Sequence, residues 1–388
     1  MRSCAIMTTS PRDAPPIAGM LLACAQDMPI DGSLSRAVGD WSGLLVAAEY
    51  HGLAPLLHAK LSASSEIPED AAGILRAAYL DSVKRGLFLT GRLLVLLDRF
   101  EAAGIRVVPL KGPALAEMLY PDPALRPFSD LDLLIGRQDV PAALRLLEGE
   151  GYRLAPHLAR LPLRSLMRLE GEAIVRSGSG GQVDLKWETA PADYPFRFDT
   201  EVLWRSLRPV RLAGREVAVL APESLMLFLC VHGAKHMWSR LQWLGDVARL
   251  AQTGPDWTAV TALAAETRCE RPVLLGLLLA HDLLDAPVPE AILGRARAER
   301  RVASHARKAA ERLYRAEPSE PSSVELTAFN AGLAERPWQK VRHYAALLKA
   351  PTEAELEAVA LPSQLFFLYY PLRAGRLLWK YARRGSGR

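Results

Sequence analysis

Residues 105–135, IRVVPLKGPALAEMLYPDPALRPFSDLDLLI, admit few backbones. The β-branched run IRVVPL reads as a strand. Lys111 and Gly112 end it, and Pro113 suits the first turn of a helix over GPALAEMLY. DPALRPF is a loop with prolines on both sides of Arg126, and DLDLLI is a second short strand. That strand carries two acids, Asp130 and Asp132. Strand side chains alternate, so both project from one face while Leu131 and Leu133 point into a core. Carboxylates held this close repel one another unless a cation lies between them. Two acids at a solvated strand end give the same pattern, so the pair needs support from elsewhere in the chain.

On either side of this stretch the periodicity is helical. SGLLVAAEYHGLAPLLHAKL and RGLFLTGRLLVLLDRFEAAG repeat apolar residues at three- and four-residue spacing, and Gly104 ends the second run. After DLDLLI, RQDVPAALRLLEGEGY reads as a helix, and GEAIVRSGSGGQVDLKWE as two strands around a Gly/Ser turn. REVAVLAPE reads as a further strand leading into a helix, and the chain beyond Asp256 is helical apart from the acidic linker AEPSEPSS. The expected organisation is a disordered leader over 1–16, an N-terminal helical region over 17–103, an α/β core over 104–220 and a C-terminal helical domain over 221–388. The fold class is α+β, with no internal repeat.

The chain has 388 residues, half of them hydrophobic, a formal net charge of +5 and a pI near 9.0. This mild basicity is compatible with a phosphate-bearing ligand without requiring nucleic acid. Cys4, Cys24, Cys230 and Cys269 show no CxxC pairing, so free thiols in a reducing cytoplasm are expected. No window is long and apolar enough for a membrane span or a signal peptide.

A third acid, Asp184, lies between Val183 and Leu185 in another short strand. If that strand neighbours DLDLLI, three carboxylates converge. Such a group suits hard divalent ions that keep substrate phosphates in their shell, as in two-metal phosphoryl or nucleotidyl transfer. The Lys111–Gly112 turn would let phosphate approach the backbone, with a cation alongside. Arg126 has two readings, a planar fork for phosphate or a loop arginine in water.

The order strand–LKG–helix–LYPDPALRPFSDLDLLI, then helix–GY, then VDLKW, resembles the uncharacterised nucleotidyltransferase family of the DNA polymerase β-like superfamily. HGAKHMWSRLQWLGDVARL resembles that family's downstream helical signature. The resemblance runs from about Val107 to Leu250. It implies a polymerase β-like core, a small mixed sheet with flanking helices, set between the two helical regions. It implies that Asp130 and Asp132 are the metal-binding pair and Asp184 the third carboxylate, which helps activate the acceptor hydroxyl. The superfamily's usual Gly-Ser turn is here Lys111–Gly112, so phosphate contacts fall to Lys111 and the Gly112 backbone. The implied cofactor is Mg²⁺, two ions, with Mn²⁺ as the alternative, and the donor is an NTP. The implied acceptor is a small molecule, such as an aminoglycoside-like compound, or a peptide of the lasso type. A tRNA or protein target, as in toxin-type transferases, is less favoured. Rival readings are a nucleotide-binding scaffold that has lost catalysis and a metal hydrolase using the same acids.

His232 and His236 share one helix face, but position 233 is glycine, so the zinc-protease pattern HExxH is absent. They read as a packing pair, with Lys235, His236 or Arg240 reaching the triphosphate as the functional alternative. Asp246 reads as a cap or partner within its own helix region. Trp187, Trp238 and Trp243 read as core or cleft wall, with base stacking as the alternative. Glu188 has no assigned role. Arg373, Arg376, Lys380, Arg383 and Arg384 read as the solvated basic end of a terminal helix, with a membrane surface or RNA as the alternative partner.

Overall fold

The computed structural model describes residues 14–30, 32–62, 66–178, 180–191, 194–315, 317–349, 359, 368–373 and 375–376. Most of the expected leader, Cys4, Lys380, Arg383 and Arg384 lie outside the described residues. Five helices come first: α1 (Pro16–Ala25), α2 (Gly32–Ala37), α3 (Trp41–Tyr50), α4 (Ala54–Leu61) and α5 (Glu69–Ala102). The sheet region follows with β1 (Val107–Pro109), α6 (Pro113–Leu119), a 3-10 turn (Pro123–Leu125), β2 (Leu131–Ile135), α7 (Val140–Gly149), β3 (Tyr152–Leu154), α8 (Pro156–Ala159), α9 (Leu163–Leu169), β4 (Glu172–Ser177) and β5 (Gln182–Lys186). Next are α10 (Glu201–Trp204), β6 (Leu207–Leu212) and β7 (Arg215–Leu220). The chain continues as α11 (Pro222–Lys235), α12 (Leu241–Gln252), α13 (Trp257–Glu266), α14 (Glu270–Leu284), α15 (Glu290–Ala298), α16 (Arg300–Leu313), α17 (Ser323–Leu333) and α18 (Pro337–Lys349).

The main sheet has the order β1-β2-β5-β4-β3 and is mixed, as the resemblance implied. β2 pairs antiparallel with β1 and parallel with β5, and β4 pairs antiparallel with both β5 and β3. β2 is buried along its whole length. Its alternate residues serve two different cores. Leu131, Leu133 and Ile135 join one with Val183 and Leu185, the second half of α5 and Trp187. Leu134, on the other face, joins Val108 and Leu110 in a second core. That second core also holds Leu21, Leu44 and Leu57 from the N-terminal helices and Leu229, Leu244 and Leu278 from the C-terminal ones. The two helical regions therefore share one apolar interior, although the sheet separates them in sequence.

Gly104 lies beyond the end of α5 with φ 69, which suits glycine in a helix stop. The expected hairpin over 172–186 forms as β4 and β5. β7 was expected from the sequence, but its partner β6 was not. The two form a separate ribbon closed by Ala213 and Gly214, both at positive φ, the conformation of a two-residue hairpin turn. Trp187 and Trp238 are buried core, and Arg373 is buried where a solvated end was expected. Cys24, Cys230 and Cys269 are buried and unpaired. Among the described residues, no helix is long and apolar enough to cross a membrane.

Candidate active site

The register of β2 and β5 sets Asp132 directly opposite Asp184. Since Leu131, Leu133, Val183 and Leu185 fill the core beneath, both acids stand on the opposite face of the sheet. Asp130 lies one residue before β2, beside the Lys111–Gly112 turn. Gly112 has φ 64, and a Cβ there would lie 3.3 Å from the Asp130 carbonyl oxygen. A glycine is needed for both reasons.

Two lysines hold Asp132, which is 3% exposed. Lys111 Nζ lies 2.9 Å from Oδ2, and Lys186 Nζ lies 3.2 Å from Oδ1. Lys186 also contacts Glu172, its register partner on β4, and lies 4.0 Å from Asp184 Oδ2. Lys235 Nζ, at the end of α11, lies 3.8 Å from Glu172 Oε1 and packs over the Tyr194 ring. Gln182 Nε2 donates to Asp184 Oδ1 at 3.0 Å. Four carboxylates thus face three ammonium groups in one small volume.

The electrostatics follow from burial and proximity. Burial raises the Asp184 carboxyl, and Asp132 and Asp130 add to the rise, to about 7. Burial also raises Asp130, with Asp132 second. Burial pushes Asp132 the same way, but Lys111 and Lys186 outweigh it and hold this carboxyl well below the usual range. Burial lowers Lys186 to about 8, against the opposing pull of Asp132. Two of the three acids are therefore destabilised in their charged form, as expected where carboxylates gather for a cation.

The helical side of the acid group contributes His232 on α11. Its Nε2 lies 3.4 Å from Lys111 Nζ, and its ring packs against His236 and Trp243. Burial, then Lys111, holds His232 far below its ordinary pKa, and burial, then Lys235, does the same for His236. Neutral His232 can accept from Lys111. The packing reading of this pair thus has an addition, a link between His232 and the Lys111 turn. Gly233 is required here because the Trp238 indole lies over it, with ring carbons 2.4 Å from where a Cβ would stand.

The structure places two of the expected phosphate ligands elsewhere. Arg126 is buried and forms a two-point pair with Asp246, Nε to Oδ1 at 2.9 Å and Nη2 to Oδ2 at 2.8 Å. Tyr120 donates to the same Asp246 carboxylate at 2.9 Å. The guanidinium edge that would fork a phosphate is committed, because a buried carboxylate on α12 requires a full counter-charge. Asp246 accordingly pairs outside its own helix, contrary to expectation. Arg240 pairs with Glu320 at 2.8 Å and packs over Tyr50 and Trp243, with no contact to the acid group. Glu188 pairs with Arg137 and Arg197.

Lys186, Glu172 and Gln182 were missed in the sequence. The alternation that puts Asp130 and Asp132 on one face also puts Gln182 and Lys186 with Asp184. Glu172 becomes visible only through the strand register.

A divalent metal fits this donor set in kind. All the acids are oxygen ligands, and Mg²⁺ needs only one or two carboxylates when substrate phosphates complete its shell. A ready-made protein cage is not the arrangement: among the described residues, no three His, Cys, Asp or Glu side chains converge to hold a metal ion. An ammonium, Lys186 Nζ, stands between the acids instead.

A family model described as uncharacterised nucleotidyltransferase matches residues 38–285, more than half of the chain. No curated protein matches the chain in sequence. Among solved structures, the antibiotic-resistance factor ANT(2'')-Ia is 14% identical, with 47% of this chain and 92% of that one covered, at a TM-score of 0.34. An antigenic nucleotidyltransferase-like protein from Paracoccidioides brasiliensis is 15% identical, with 53% and 96% covered, at a TM-score of 0.31.

Proposed function

The chain belongs to the uncharacterised nucleotidyltransferase family, and from that membership we propose that it is a Mg²⁺-dependent enzyme moving an NMP from an NTP to an acceptor hydroxyl or phosphate. The observation that carries the reading is the facing pair Asp132 and Asp184, with Asp130 beside them, on the face of the sheet opposite Leu131 and Leu133. Asp130 and Asp132 would hold the metal, with Asp184 completing the set. When bound, the metal neutralises charge on the triphosphate and sharpens the acceptor as a nucleophile.

The chain's own groups do the rest. Lys111 and the Gly112 backbone receive the phosphates, and His232 orients Lys111. Lys186 and Lys235, neighbours through Glu172, provide further positive charge for the pyrophosphate that leaves. Asp184 accepts the proton of the acceptor hydroxyl, and Gln182 fixes its carboxylate. Asp132 and Lys186 are buried, which shields their charged atoms from bulk water. A small molecule or a peptide in the cytoplasm is the acceptor class we favour, as the family resemblance implies; the +5 charge is compatible with it and does not select among acceptors.

The test is mass spectrometry of small-molecule and peptide pools incubated with mixed NTPs and Mg²⁺. The expected result is an NMP-sized addition that Asp132→Asn abolishes. One observation favours a second reading, nucleotide binding without turnover: Lys186 stands among the acids. Nucleotide binding with no addition to any pool, RNA and protein included, would select it.

A further inference from the structure

Nucleotidyl transfer by carboxylate-held metals does not by itself call for a lysine between the carboxylates. Lys186 is buried there, on the acid face of β5, and touches Asp132 and Glu172 with Asp184 at the edge of contact. Lys111 covers the remaining oxygen of Asp132. Each Asp132 oxygen therefore already faces an ammonium group. A Mg²⁺ ion needs those same oxygens at roughly 2.0–2.1 Å, and Mn²⁺ needs the same oxygens. Bare metal would have to enter against two positive charges in a buried setting, where repulsion is poorly screened. The near balance of four carboxylates and three lysines also removes the excess negative charge that would attract a free cation.

We propose that Lys186 is a resident counter-ion which makes metal entry conditional on the nucleotide. A triphosphate offers Lys111, Lys186 and Lys235 new anionic partners and so releases Asp132 to the metal that arrives with it. Glu172 keeps a hold on Lys186 throughout, because it faces both Lys186 and Lys235 and is not one of the proposed metal ligands Asp130, Asp132 and Asp184. Metal and nucleotide then bind with positive coupling, each raising the affinity of the other. In this role Lys186 is a positioning residue, and the idea rests on the reading of Asp130, Asp132 and Asp184 as the metal-nucleotide site.

The test is protein-bound Mn²⁺, measured by equilibrium dialysis of the full chain with and without a non-hydrolysable ATP analogue and set against the same mixtures without protein, because the analogue itself binds Mn²⁺. Wild type should leave Mn²⁺ largely in solution when alone and take it up with the analogue. Lys186→Met should bind Mn²⁺ without nucleotide at least about tenfold more tightly than wild type, a change on the usual scale of coupling between two bound groups. Lys186→Arg keeps the charge and should behave as wild type. Thermal melts establish that each variant is folded, and Lys186→Gln carries the same expectation if the methionine variant does not fold. If wild type binds Mn²⁺ alone as tightly as with the analogue, the proposal is overturned without any substitution. If the uncharged variants gain no affinity while wild type still takes up Mn²⁺ with the analogue, Lys186 is not the counter-ion and the metal-nucleotide reading stands. If wild type takes up no Mn²⁺ even with the analogue, both fall.

Discussion

Asp132 and Asp184 are register partners across the parallel pair β2 and β5. Neighbouring strands lie about 4.8 Å apart, so the two carboxylates cannot avoid each other's field. The sheet fixes this proximity, and it does not depend on a flexible loop. Asp184→Asn keeps the shape and the bond from Gln182 but removes the charge. Turnover should fall on the order of 10²- to 10³-fold, the scale for losing one electrostatic group at a reacting centre. The melting temperature should stay level or rise, because the lost charge is one the fold disfavours. Parallel losses of turnover and stability would mean that Asp184 is structural only.

The buried pair Arg126–Asp246 ties the loop before β2 to α12. Arg126→Met should destabilise the protein by about 3–5 kcal/mol, since Asp246 is left buried without a counter-charge. Adding Asp246→Asn should recover part of the loss and still leave Tyr120 an acceptor. Chemical denaturation of the two variants checks this. A raised KM for NTP in Arg126→Met with unchanged stability would restore the phosphate-fork reading.

Gly233→Ala places a methyl group inside the Trp238 ring position. Overpacking of this kind costs about 1–3 kcal/mol, and the shift would pass through α11 to His232 and Lys111. Lower stability together with a higher KM for NTP is the expected pair of results. Denaturation and steady-state kinetics on the same sample separate them.

His51 gives a pH signature away from the acids. Its Nδ1 accepts from the Leu241 N–H at 3.3 Å, and burial, then Arg240, lowers its pKa to about 4. The unfolded chain binds this proton near pH 6.5, before the folded one does. Stability from His51 is therefore full above about pH 6.5 and declines as pH falls toward 4. The loss is worth about 2–3 kcal/mol by pH 4.5. His51→Asn can present an acceptor to Leu241 without titrating and should flatten this slope. Urea unfolding at pH 7 and pH 4.5 would show the same pH dependence in both proteins if His51 contributed nothing.

Much of the sheet was legible because short apolar runs with punctuating glycines and prolines are a local signal. Strand alternation alone puts Asp130 and Asp132 on one face, and the apolar neighbours Val183 and Leu185 give Asp184 the same kind of position. Two things escaped that logic. β6 carries Arg208, Pro209 and Arg211 in a half-buried strand, so it lacks the apolar run that marks β2. Partnerships across distance also escaped: Arg126 with Asp246, Lys111 with His232, and Glu172 with Lys186 depend on packing and register, which no local pattern encodes. The shared core of the N- and C-terminal helices belongs to the same class.

Lys186 and Asp184 lie two residues apart on one strand and face the same way. As the chain is made, β2 emerges with Asp130 and Asp132 and has to wait for β5. When β5 pairs, the third acid and the cation that balances it enter the sheet together. The chain can therefore assemble a crowded acidic centre without passing through a stage in which all three aspartates are gathered and unopposed.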